Sequence, residues 1–131
     1  MASLSEVTDS FKRCLSAPEF LDCFFEKLLQ VIPEVAPLFV DMSELHRNAI
    51  VRKGVTTIFM NEAGSPKAAD DLARLRRLHG PERMNIRPEM FSAFQRVFLD
   101  VVREYDAEHT PELEQAWKEI MERGISRIAT R

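Results

Sequence analysis

Two of the three histidines stand where helical periodicity could give an imidazole chemistry to do. Leu72, Leu75, Leu78 and His79 share one helical face, so the ring points where the leucines point, into an apolar interior. Gly80 permits a left-handed cap and Pro81 cannot continue the hydrogen-bond ladder, so the helix should stop one residue after the histidine. An imidazole held at a helix end against an apolar face is one arrangement that ligates an iron porphyrin. A structural histidine in the core is the other, and these residues alone leave both open. His46 heads a second inward stripe, continued by Ile50, Val51, Gly54, Val55 and Ile58.

Other chemistries find little support. There is no GxSxG elbow for a nucleophile, the four glycines are scattered singly and cannot cradle a phosphate, and Glu-x-x-His does not recur on two helices. Cys14 and Cys23 form no CxxC pair and read as reduced thiols in helical core patterns. A net charge of −3 argues against a nucleic-acid or anionic-membrane partner. Charges interrupt every apolar run well short of the ~18 residues of a membrane span. The N-terminus lacks the basic region and apolar run of a signal peptide, so a cytoplasmic location is expected. Length and composition suit one domain over residues 1–131.

The elements that must position the histidines are all helical. Residues 3–15 form a short helix capped by Ser3 or Ser5, and Pro18-Glu19 starts a second that runs to about Val31. Prolines at 33 and 37 make residues 32–39 a corner ending in Phe39. Further helices cover about 43–60, 67–79, 88–105 and 111–128, the last two led by Pro88-Glu89 and Thr110-Pro111-Glu112. No β-alternating run of useful length occurs, so the class is all-α with six or seven helices. The first 15 residues and Ala129-Thr130-Arg131 are expected to fray. Phe98, Val102 and Trp117 fit a core better than an interface.

In order and spacing, Phe25, Phe39, His46 and His79 resemble the globin family. Phe24 to Phe39, with its Ile-Pro-Glu-Val word, is similar to the B helix, C turn and CD-corner phenylalanine of bacterial single-domain globins. Ile86-Arg87-Pro88-Glu89-Met90-Phe91 looks like the start of their G helix, and Thr110 to Trp117 like the start of their H helix. The resemblance implies a globin-like fold, a three-over-three sandwich of six or seven helices in a single domain, holding heme b (iron protoporphyrin IX).

Carried over residue by residue, the likeness makes His79 the proximal iron ligand, its second ring N–H bonded to the Leu75 carbonyl. Phe39 stacks on the porphyrin, Phe25 occupies the distal side, and Ile50, Leu75, Ile86, Phe91 and Phe94 are apolar wall. For the distal position on the E helix, an ungapped alignment from Met42 gives Leu45 but turns Lys53 inward. His46 keeps the apolar stripe inward and is preferred, as a donor to a bound ligand or as a second iron ligand. Arg47 is either a propionate partner or part of a solvated face. Bacterial globins that detoxify nitric oxide commonly carry tyrosine where this chain has Phe25 and Phe91, and the His79–Pro88 turn is about two residues longer than usual.

The function implied is reversible binding of a diatomic gas, oxygen or else nitric oxide or carbon monoxide, by a monomer or homodimer that acts as carrier, scavenger or sensor and need not be an enzyme. Two alternatives stand beside it. One is a redox enzyme handling nitric oxide or peroxide with an external reductase, and the other is a heme-free globin-like interaction domain.

Overall fold

Capping and proline chemistry set the helix boundaries of the computed structural model, which describes residues 2–80, 83, 84 and 86–129. Helix α1 (Leu4–Leu15) starts with a capping box, in which Ser3 accepts from the Glu6 N–H while the Glu6 carboxylate accepts from the Ser3 N–H. Next, α2 (Phe20–Val31) begins two residues later than the Pro18-Glu19 word suggests, because Ala17 to Glu19 form a turn closed from the Phe20 N–H to the Ala17 carbonyl. A 3₁₀ turn (Pro33–Val35) and the single turn of α3 (Ala36–Phe39) build the proline corner. Then come α4 (Glu44–Glu62), α5 (Pro66–Leu78), α6 (Pro88–Tyr105) and α7 (Pro111–Ser126). Ser43, Ser65 and Thr110 cap α4, α5 and α7 through their side-chain oxygens. Among the described residues there is no strand.

Helix α6 packs on α2 and α7, α4 on α5 and α7, and α1 across α6 and α7, so two layers of three helices face each other. The core between them is aromatic. Phe98 lies fully buried among Phe11, Phe20, Phe24, Phe94 and Trp117, with ring centroids 5.3–6.2 Å apart. Phe98, Val102 and Trp117 are therefore core, as their spacing suggests.

The tightest crossing is between α4 and α7. A Cβ built on Gly124 would lie 2.5 Å from Ile58 Cγ2 and 3.0 Å from its Cβ, too close for a β-branched side chain on a packed helix to yield easily. Gly124→Ala is expected to destabilise the protein by about 1–3 kcal/mol despite alanine's better helix propensity. Urea unfolding would measure it, and an unchanged midpoint would mean the two helices can separate freely.

Helix α1, expected to fray from its position, is instead fastened to the rest of the fold. Val7, Phe11 and Cys14 are buried on the core, and a polar network beneath them ties α1 to the far end of α6. Asp106 accepts from Ser10 Oγ (2.5 Å), Arg13 Nε (2.6 Å) and the Glu108 N–H (3.0 Å), while Trp117 Nε1 donates to Ser10 Oγ (3.0 Å). Burial pushes the Cys14 thiol up to about 12, so it acts as a small apolar residue. At the other end, Thr130 and Arg131 lie outside the described residues.

Candidate functional site

The apolar stripes do not close on one another everywhere. Between α2, the proline corner, α4, the end of α5 and the inner face of α6 they leave a cavity of about 290 Å³. Phe25 and Leu28 come from α2, and Phe39 and Met42 from the corner. Ile50, Val51, Gly54, Val55 and Ile58 form the α4 wall. Leu75, Leu78 and His79 supply the α5 end, Met84 and Ile86 the turn after it, and Met90, Phe91 and Phe94 the α6 wall, with Met121 and Ile125 of α7 behind. Among these described lining residues, His79 is the single polar side chain.

Local structure holds that imidazole in place. His79 caps α5, its backbone N–H bonded to the Leu75 carbonyl at 2.9 Å. Nδ1 lies 2.7 Å from the same carbonyl oxygen, which can only accept, so Nδ1 carries the proton. The tautomer is thereby fixed with the lone pair on Nε2, which has no hydrogen-bond partner among the described residues. The Phe91 ring stands 5.8 Å from the imidazole, tilted by 48°. Beyond the helix end, Met84 N–H donates to the Leu78 carbonyl and Ile86 N–H to that of His79, which anchors the long turn. Pro81, the expected helix stop, lies outside the described residues. Among the described residues the glycine in the left-handed region is Gly64 (φ 94°), and Gly80 N–H instead closes a tight turn on the Arg77 carbonyl.

Phe25, Phe39, Ile50, Leu75, His79, Ile86, Phe91 and Phe94 are thus brought together around one space. Phe39 meets Phe25 edge to face at 5.1 Å. His46 is a correction: it is exposed and does not line the cavity, and Leu45, the alternative, is 83% exposed. The rest of the expected stripe, Ile50, Val51, Gly54, Val55 and Ile58, does line the cavity, so only its first-turn member falls outside. Arg47 precedes Ile50 and Val51 by three and four residues, and its guanidinium carbon sits 4.3 Å from the centroid of the Phe25 ring. Arg47 Nη2 reaches Asp22 Oδ1 at 3.3 Å. Its guanidinium therefore belongs to the edge of the cavity rather than to a solvated face.

The arrangement suits a largely apolar ligand with one site for an imidazole nitrogen to bind. Gly54 presents bare backbone to the cavity, and a Cβ there would have no neighbour within 4 Å. Nothing else among the described residues offers a metal site, since no cluster of three His, Cys, Asp or Glu occurs. A family model, Globin, matches residues 22–128. The chain belongs to the globin family. Among solved structures it is similar to that of PA3967 from Pseudomonas aeruginosa PAO1, a protein described as structurally highly homologous to a human hemoglobin. The TM-score is 0.88 at 26% identity, covering 95% of this chain and 94% of that one. No curated protein matches the sequence. In this globin the all-α expectation and the two-layer architecture hold, and no helix among the described residues is long and apolar enough to cross a membrane.

Sequence reasoning missed Leu28, Met84, Met90 and Met121 as cavity wall. Met121 and Ile125 read as core because they continue the stripe of α7, and periodicity alone cannot tell a packed face from one that borders a space.

Proposed function

We propose that this globin binds heme b in the cavity, with His79 Nε2 as iron ligand, and reversibly holds a diatomic gas there. One observation carries the reading: a single imidazole of fixed tautomer stands in a cavity whose other described lining is hydrocarbon and thioether. The heme would supply a metal centre with a coordination position open to a small gas. The chain's own residues do the rest. The Leu75 carbonyl orients the His79 ring and raises its basicity, Phe39 and Phe25, packed edge to face on each other, would wedge the ligand, and Ile50, Ile86, Phe91 and Phe94 would surround it with hydrocarbon. Heterolytic cleavage of peroxide is assisted by a proton donor beside the ligand, and the described lining offers none besides His79, so a gas binder is the better reading than a peroxide-handling enzyme. The free thiols Cys14 and Cys23 suit a reducing compartment, the cytoplasm.

Titration with hemin tests this. A Soret band saturating at one equivalent is expected for the wild type, and its loss in Gly54→Phe, which fills the cavity from α4, with helical content kept. A wild type that takes up no hemin, or a Gly54→Phe variant that takes it up equally, would sink the reading and favour a heme-free domain.

A further inference from the structure

We propose that Arg47 sets the ligand preference of the cavity, favouring ligands that carry negative charge, and that Asp22 restrains it. The inference rests on the heme-binding reading above and names which side chain of the α2/α4 wall acts on the ligand.

Three observations converge on Arg47. Its helical position puts it on the face of Ile50 and Val51, both of which line the cavity. Its guanidinium stacks on Phe25, which also lines the cavity, so one aromatic ring separates a cation from an apolar space. Its donors are under-used. Of five N–H groups, one makes a long bond to Asp22 at 3.3 Å, and Nε is buried with no partner.

The pair is built so that the arginine is the end free to move. Asp22 Oδ1 is held by Asn48 Nδ2 at 2.9 Å, a shorter bond than the one to Arg47. The Asp22 side chain is 45% exposed, so water and salt weaken the ion pair. A negatively charged ligand beside Phe25 would offer the guanidinium a better acceptor, in a less polar setting, than Asp22 does. A neutral ligand would offer none. The effect should therefore follow ligand charge rather than ligand size.

Azide on the hemin-loaded ferric protein and carbon monoxide on the ferrous protein separate the two. Arg47→Leu is expected to weaken azide binding about tenfold, with carbon monoxide affinity changed by less than about threefold. Asp22→Asn, which frees the arginine, should tighten azide about threefold, and the double variant should behave like Arg47→Leu alone. Unchanged azide affinity in Arg47→Leu, or an equal loss for carbon monoxide, overturns the proposal. So does a loss of hemin affinity with azide affinity unchanged, which would make Arg47 a propionate partner. A wild type that takes up no hemin would show first, in the titration above, and would remove both readings together.

Discussion

Replacing His79 by glycine is expected to lower the affinity for hemin at least about a hundredfold and to abolish the wild-type spectrum, with added imidazole restoring most of it. Two contributions to binding must be separated to see why. Filling an apolar cavity of 290 Å³ recovers packing on the order of 7 kcal/mol, an upper figure because the cavity opens to the surface. That part survives in the glycine variant, so some hemin should still partition into it. What is lost is the directed bond from Nε2, together with the orientation imposed by the 2.7 Å contact of Nδ1 with the Leu75 carbonyl. Free imidazole can refill the space the ring leaves, but without the tether and at the entropic cost of immobilising a second molecule. Rescue of the spectrum at lower overall affinity is therefore the diagnostic result. A variant that binds hemin as tightly as wild type, with the same spectrum, would remove His79 from the proposed role.

The His79 side of the cavity is readable in the sequence because it is local. His79, Leu75 and the leucine face lie within one helix, where spacing fixes both the direction of the ring and its carbonyl partner. Phe25 and Phe39 are likewise separated by a stretch whose prolines dictate its path. The α4 wall is different. Ile50, Val51, Gly54, Val55 and Ile58 line the cavity as their spacing suggests, but in the first turn, ahead of that stripe, periodicity does not say which polar side chain turns toward it. An imidazole looks the better candidate for an interior than a guanidinium does, until Asp22 and the Phe25 ring are known to receive Arg47. Those partners sit 25 and 22 positions away, and nothing in the local pattern announces them. The same holds for α1, which lies ahead of the segment matching the family model yet is fastened by contacts from Ser10 and Arg13 to Asp106. A terminus reads as loose only while its distant partner is unseen.

That partner supports the second large effect. Asp106→Ala should destabilise the protein by about 3 kcal/mol and lower its Tm by about 10 °C, leaving hemin uptake by the folded protein intact. Removing the carboxylate strands the Ser10 hydroxyl, which is fully buried and receives the Trp117 indole N–H, and leaves the Arg13 guanidinium with only the more distant Glu108. Arg13 is 31% exposed and can turn to water, which is why the loss falls at the low end for a broken buried ion pair. A pH dependence goes with it. Burial pushes the Asp106 carboxyl up, but the Arg13 guanidinium, the Ser10 hydroxyl and the Glu108 N–H outweigh that and hold it at about 2, below its usual 3.8. A group depressed in the folded state binds its proton more readily when unfolded, so its contribution is complete above about pH 4 and is lost as the pH falls toward 2. The stability at stake is roughly 2 kcal/mol. Urea midpoints between pH 5 and pH 2 should therefore fall more steeply for the wild type than for Asp106→Asn, which has no carboxyl to titrate there. Parallel slopes would show that α1 is held by its apolar face alone, and the Ser10→Ala, Asp106→Ala cycle would then be additive.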